Sequence, residues 1–219
     1  MKHENTTTMS SKRVIVSLLI YLLIPVLRLI VHRITGNMTL STTFALNVGA
    51  WLLVMYDWEL FGLHWNRAKA NLSDTVLYIT VGMVFFFCWT LLNANYLHGG
   101  MLLPERSVMR AYPIAIPPIL FAYSFSLSCV LSITFKCITD RFKVHAREAA
   151  MILLSGFLFG LIYTLTLSPL TWSTLFQTYL FNMITITALS YLYNQTHSFI
   201  PGLFALAIVL LFWQIVFVL

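Results

Sequence analysis

The stretch AMILLSGFLFGLIYTL, residues 150–165, decides the fold class, because it is long, apolar and does not alternate between apolar and polar residues. A helix needs about 20 residues to cross the hydrocarbon core of a bilayer. A transmembrane β-strand instead needs an alternating segment of about ten residues. The run VSLLIYLLIPVL, residues 16–27, has the same character. Both runs predict membrane helices rather than a β-barrel, and the fold class is therefore all-α.

The composition of the whole chain agrees with a membrane-embedded protein. Apolar residues make up 59% and charged residues 9% of the 219 residues, and the mean hydropathy is +0.85. A soluble domain carries roughly a quarter charged residues. No soluble domain fits between the apolar runs, so we predict a polar tail at residues 1–12 and a single transmembrane domain at 13–219. The first run is too long for a signal peptide and is interrupted by Pro25 and Arg28, so we expect it to be retained.

Apolar runs of nearly spanning length recur along the chain and predict a polytopic bundle of about seven helices. The run at 174–193 is the most polar of them, because Gln177, Asn182 and several threonines dilute it. The predicted helices lie near residues 14–32, 39–56, 75–93, 112–135, 149–167, 174–193 and 199–219.

The distribution of lysine and arginine predicts the orientation. With seven spans and an inner N-terminus, nine cations fall in inner segments and three in outer segments, and Arg28 falls within the first span. We therefore expect a cytoplasmic N-terminus, with the loops at 57–74 and 136–148 also cytoplasmic, in the inner (cytoplasmic) membrane of the cell. This topology explains the net charge of +6, and because the cations form no long basic tract with interleaved aromatics, we expect no nucleic-acid partner.

Two C-terminal segments carry a family resemblance. The first is SGFLFGLIYT (155–164), with Phe159 inside an LFG tripeptide, and the second is YLYNQTHSFIPG (191–202). Both resemble motif regions of the CPBP family, the CAAX-protease and bacteriocin-processing (Abi-like) intramembrane proteases. A weaker likeness at ELFGLHWNRAKANLSDTVLYITVG (59–82) extends the CPBP-like region to about 59–215.

The resemblance implies where an active site would lie. CPBP proteases carry a glutamate pair with arginine, EExxxR, on one helix, FxxxH on a second, and a histidine with an asparagine or similar partner on a third. The family's glutamate acts as a general base on water, and its histidines orient that water or stabilise the oxyanion. Aligned on this chain, the catalytic positions are occupied by Ser126 and Leu127 (glutamates), Leu131 (arginine), Tyr163 (first histidine), Leu206 (second histidine) and Leu210 (its partner).

The acidic residues argue against catalysis by the family mechanism. The chain has seven, none lies in the middle of a predicted span, and no two glutamates are adjacent. We therefore expect a catalytically inactive pseudoprotease that binds a membrane protein, a lipidated or hydrophobic peptide, or another amphiphilic ligand. One alternative is a divergent active protease that uses a relocated carboxylate such as Glu148 or Glu59. A second is a small transporter or permease subunit, although the sequence shows no internal repeat.

Thr178, Asn182 and Thr185 follow helical spacing and share one face of the sixth predicted span. They indicate either hydrogen bonding between helices or a polar cavity where the family has its active site. Cys88, Cys129 and Cys137 have no metal-ligand spacing, so we expect neither a metal nor a cofactor. If the alignment holds, Tyr163 and Leu206 should face a common interior.

Overall fold

A computed structural model describes residues 10–101, 116–142, 148–168 and 171–218, and throughout these ranges the regular elements are helical. In the described ranges there are eight α-helices: α1 (Ser11–Thr35), α2 (Met38–Tyr56), α3 (Trp58–Ala70), α4 (Leu72–Leu92), α5 (Ile116–Phe142), α6 (Glu148–Thr166), α7 (Leu175–Thr196) and α8 (Ile200–Val218). A π-helical turn, Asn93–Leu97, extends α4, and a 3₁₀ turn, Trp172–Thr174, precedes α7.

Local sequence signals set the first helix boundaries. The Ser10 side chain accepts a hydrogen bond from the Arg13 backbone N–H and caps the start of α1. Gly36, with φ of 65°, ends α1 in the left-handed conformation that glycine adopts without strain. The side chain of Asn37 then accepts from the Leu40 N–H and starts α2. A tight turn between two long apolar helices results.

Helix α5 is the centre of the bundle. It packs against α1, α2, α6, α7 and α8, and 72% of its membrane-length segment is buried. Serines such as Ser128 and Ser132 are fully buried along it. Small side chains let neighbouring helices approach closely, which explains how one helix accommodates five partners.

The tightest helix pair is α6 and α7, and it depends on Gly156 and Gly160. A Cβ atom on Gly160 would lie 2.7 Å from the backbone Cα of Met183, and one on Gly156 would collide with the Thr187 hydroxyl. The two glycines are four residues apart and form a GxxxG pattern on one face of α6. This contact fixes α7 beside α6.

One end of the bundle, which we call the basic end, collects the start of α1, helix α3, the end of α5, the start of α6 and the α7–α8 turn. Contacts across it include Arg13 with Asp57 and Arg67 with the His197 carbonyl. At the opposite end the Arg28 guanidinium donates to the Leu167 carbonyl at 3.2 Å. The long helices therefore alternate in direction along the chain.

The structure confirms an all-α membrane bundle. Within the described ranges, α1, α2, α4, α5 and α6 are long and apolar enough to cross a bilayer, and α8 contains a shorter apolar stretch, Ile200–Val216. Helix α7 is long enough to cross a bilayer but is not among these apolar helices, because of its polar composition. The count of about seven spans stays a prediction.

Two local expectations were wrong. The segment 57–74, predicted as a loop, contains helix α3, because Leu60, His64 and Ala68 form a buried stripe at helical spacing. The fourth predicted helix ended at 135, but α5 continues to Phe142 and buries Lys136, which is 2% exposed. The start of that prediction, 112–115, and most of the predicted polar tail lie outside the described residues.

Candidate functional site

A small cavity lies where α4, α5, α6, α7 and α8 converge, and we call it the central cavity. Its volume of about 30 Å³ is enough for roughly two water molecules. The lining is mostly aliphatic and aromatic. The lining residues are Phe86, Thr90, Met101, Leu127, Leu131, Tyr163, Phe181, Asn182, Thr185, Leu206 and Leu210.

Five of the six positions aligned with the family's catalytic residues line this cavity. They come from three helices: Leu127 and Leu131 from α5, Tyr163 from α6, and Leu206 and Leu210 from α8. The sixth, Ser126, is buried on α5 but is not among the lining residues. Tyr163 and Leu206 thus lie on one interior cavity.

The polar face of α7 reaches the same cavity through Asn182 and Thr185. The Asn182 amide donates to the Thr164 hydroxyl at 2.9 Å and to the Ser168 hydroxyl at 2.7 Å. The Thr185 hydroxyl donates to the Phe181 carbonyl within α7 at 2.8 Å. Asn182 therefore joins α6 to α7 and also contributes polar surface to a cavity whose lining is otherwise mostly apolar.

Thr178 lies one turn before Asn182, is fully buried and does not line the cavity. Its hydroxyl accepts a 2.7 Å hydrogen bond from the Gly100 N–H. The Asn93 side chain exchanges hydrogen bonds with both the N–H and the carbonyl of Gly99. The first bond holds Gly100 against α7, the other two hold Gly99 against the π-helical turn, and the next residue, Met101, lines the cavity.

No carboxylate, histidine, lysine or arginine is present among the described residues that line the central cavity. Its polar groups are a phenol, an amide and threonine hydroxyls, none of which is a base at neutral pH. The described part of the chain also holds no group of three or more His, Cys, Asp or Glu that would bind a metal. A water molecule here would meet hydrogen-bonding groups but no general base.

The two carboxylates considered as relocated bases lie at the basic end. Glu148 begins α6, is exposed, and accepts a hydrogen bond from the Asn194 amide. Glu59 is 86% exposed and pairs with Arg13 at 3.3 Å. Neither residue lines the central cavity.

A buried charge cluster at the basic end was missed by the sequence analysis. Asp57, 1% exposed, accepts from the Ser17 hydroxyl at 2.9 Å and lies 3.4 Å from the Arg13 Nε. Burial raises the pKa of the Asp57 carboxyl, while Ser17 and the charges of Arg13 and Lys136 lower it less strongly. The sequence signal that could have revealed this cluster is the apolar residues that follow Lys136. They allow α5 to continue beyond Lys136 and so keep that side chain inside the bundle.

A second, larger recess opens on the side of the bundle between α4 and α6, across α7, and we call it the lateral groove. Its volume is about 370 Å³, within the usual range of ligand pockets. It is almost wholly apolar. Its lining residues are Val81, Gly82, Phe85, Ile152, Ile184, Thr187, Ala188, Tyr191 and Leu192.

Comparison of the chain with protein-family models, with curated proteins and with solved structures found no match. The chain is a membrane-embedded helical protein.

Proposed function

We propose that this chain is a catalytically inactive member of a CPBP-like group of membrane proteins, and that it binds a membrane protein partner or an amphiphilic ligand. One observation carries the proposal. Residues that occupy the aligned catalytic positions, spread over 84 residues of sequence from Leu127 to Leu210, line a single cavity. This convergence supports the alignment, because a single active site requires its residues to lie together in the fold.

The chemistry of the residues that line this cavity supports the proposal that the protein is catalytically inactive. General-base catalysis needs a group of suitable pKa within hydrogen-bond reach of the attacking water. Tyr163 and Leu206 stand at the aligned histidine positions, and Leu127 at one of the glutamate positions. The hydroxyl of Ser126 would need an adjacent base to act as a nucleophile. The described residues of its helix include no histidine, and their lysine, Lys136, lies ten residues farther along α5.

The sizes of the two recesses indicate where binding takes place. The central cavity, at about 30 Å³, has room for about two water molecules and is too small for a peptide. The lateral groove, at about 370 Å³, has room for an alkyl chain or an apolar side-chain cluster. Helix α7 borders both, with Asn182 and Thr185 on the cavity and Ile184 and Ala188 on the groove. An apolar ligand would therefore lie beside the former active-site region rather than inside it.

The catalytic part of the proposal is tested with purified protein and fluorogenic prenylated and transmembrane peptides. We expect no cleavage. Cleavage that is abolished by Glu148→Gln or Glu59→Gln would replace the proposal with an active protease that uses a relocated carboxylate.

The binding part is tested by photo-crosslinking with an alkyl-diazirine amphiphile in cells and in reconstituted membranes. Ile152→Trp fills the lateral groove, and Leu153→Trp places the same side chain on an exposed neighbouring position of α6. We expect Ile152→Trp to reduce labelling of α7 and Leu153→Trp to leave it unchanged. Equal labelling of both variants, or transport of solutes by wild-type vesicles, would contradict the proposal.

A further inference from the structure

Helix α3 carries a row of aromatic side chains on one face. Trp58, Phe61 and Trp65 follow i, i+3, i+7 spacing, and successive rings are nearly parallel, with centroids 6.4 and 6.5 Å apart. They form one wall of a recess that we call the aromatic groove, with a volume of about 360 Å³. Its other lining residues are Gly62, Phe125, Ile200, Leu203 and Phe204.

Close packing within the described residues does not require a glycine at position 62. A Cβ atom added there meets no atom within 4 Å, and its backbone is not in the left-handed region. Glycine is the poorest helix former after proline, so in the interior of α3 it weakens the helix. Its effect on the surface is to leave the aromatic groove deeper at this point. An occupant that fills the groove gives a physical reason for glycine here.

The position of α3 indicates that the occupant comes from the bilayer. The helix joins two membrane-length helices, α2 and α4, so it lies at the level where they leave the membrane. Tryptophan is enriched at this interface, and Trp58 is 66% exposed. The groove itself is almost entirely apolar. An acyl chain suits such a surface better than a soluble ligand does.

Charge at the C-terminal end of α3 determines the headgroup class. Lys69 is exposed, and its Nζ lies 5.6 Å from the centre of the Trp65 ring, beside the groove. Arg67 lies in the same turn and donates to the His197 carbonyl. The carboxylate of α3, Glu59, is near the opposite end and is paired with Arg13. The groove therefore combines apolar walls with positive charge at one end.

We infer that the aromatic groove binds one acyl chain of an anionic phospholipid, with the lipid phosphate near Lys69. This lipid site is separate from the lateral groove and does not depend on the proposed function. The aromatic row contributes apolar contact with the chain, and Lys69 contributes attraction to the phosphate.

The test is a lipid titration of the delipidated full-length protein in detergent, read by native mass spectrometry. Phosphatidylglycerol and phosphatidylcholine with identical acyl chains are compared. We expect one phosphatidylglycerol to bind about fivefold more tightly than phosphatidylcholine, the effect of one nearby cation. Lys69→Gln should remove this difference, whereas Lys12→Gln, which changes another exposed cation at the basic end, should keep it.

Gly62→Leu tests the groove, because the protein leaves open space for the new side chain. It should weaken binding of both lipids by about tenfold, while Ala70→Leu on an exposed position of α3 should not. Equal affinity for both headgroups, or unchanged binding in Gly62→Leu, would overturn the inference. So would a wild-type dimer that Gly62→Leu converts to a monomer, since a second copy of the chain would then occupy the groove. If Gly62→Leu did not fold, the comparison of Lys69→Gln with Lys12→Gln would still decide the headgroup preference.

Discussion

At the scale of single residues, Asp57 shows how burial and charge compete. Its carboxyl receives a hydrogen bond from Ser17 and lies near Arg13 and Lys136, yet burial still raises its pKa above the ordinary value. The folded protein therefore binds the Asp57 proton more tightly than the unfolded chain does. By linkage, the contribution of Asp57 to stability is largest below its ordinary pKa and is lost as pH rises through the raised value.

This sign gives a prediction for Asp57→Asn. The neutral amide mimics the protonated carboxyl. The stability of the variant should therefore lack the part of its pH dependence that comes from Asp57. Between the ordinary carboxyl pKa of about 4 and the raised value, the melting temperature of wild type should rise relative to the variant as pH falls. Thermal unfolding in detergent, followed from pH 4 to 8, measures this difference. Glu59→Gln is the control, and a similar change of slope in that variant would assign the effect to general surface charge.

Asn182 is the second residue for which the structure makes a definite prediction. Its amide donates to two hydroxyls, those of Thr164 and Ser168. Asn182→Leu removes both bonds, one to α6 at Thr164 and one to Ser168 just beyond its end. Interhelical contacts of this kind contribute about 0.6–2 kcal/mol in membrane proteins. We expect a loss of stability of that order. Thr80→Val is the control, because the Thr80 hydroxyl donates within its own helix, and an equal loss in that variant would contradict the interhelical role of Asn182.

At the scale of helices, the α6–α7 crossing requires glycine, whereas the exposed face of α3 has room for a larger residue. At Gly160 a methyl group would meet the backbone of α7 at Met183, which cannot move without separating the helices. At Gly62 the same methyl group meets open space. Gly160→Ala should therefore destabilise the protein by about 1–3 kcal/mol, whereas Gly62→Ala should be neutral or stabilising because alanine favours helix. Melting temperatures of the two variants in the same detergent provide the comparison.

The helices also show what the sequence could predict. Apolar runs of spanning length located α1, α2, α4 and α6 to within a few residues, since burial in lipid demands such runs. Helix α3 was missed because its buried stripe includes His64 and is interrupted by charged and aromatic residues. The end of α5 was missed because Lys136 was taken as the start of a loop, whereas a nearby carboxylate, Asp57, lets it remain inside.

The sequence predicted some features of the central cavity and missed others. Tyr163, Leu206 and the α7 polar face were named from the sequence, and the structure places Tyr163, Leu206, Asn182 and Thr185 on one cavity. Its small size could not be foreseen, because volume depends on how five helices pack. The contribution of Met101, from a connecting segment, was also out of reach of a pattern based on helix faces.

At the scale of the whole molecule, the packing groups the cations in a way that bears on orientation. Arg13, Arg67, Lys69 and Lys136 lie at the basic end, together with the α7–α8 turn. The positive-inside rule then predicts that this end faces the cytoplasm. Single cysteines test the prediction: Asn66→Cys on the exposed face of α3, and Tyr96→Cys at the opposite end, where Tyr96 is 77% exposed.

The background for this experiment is Cys88→Ser, because Cys88 is exposed, whereas Cys129 and Cys137 are buried. A membrane-impermeant maleimide applied to intact cells should label Tyr96→Cys at once and Asn66→Cys only after permeabilisation. Because the long helices alternate in direction and contacts tie α3 to the start of α1, the two positions must report opposite sides if the bundle spans the membrane. Labelling of Asn66→Cys from outside, with Tyr96→Cys protected, would invert the orientation and place the lipid site beside α3 in the outer leaflet.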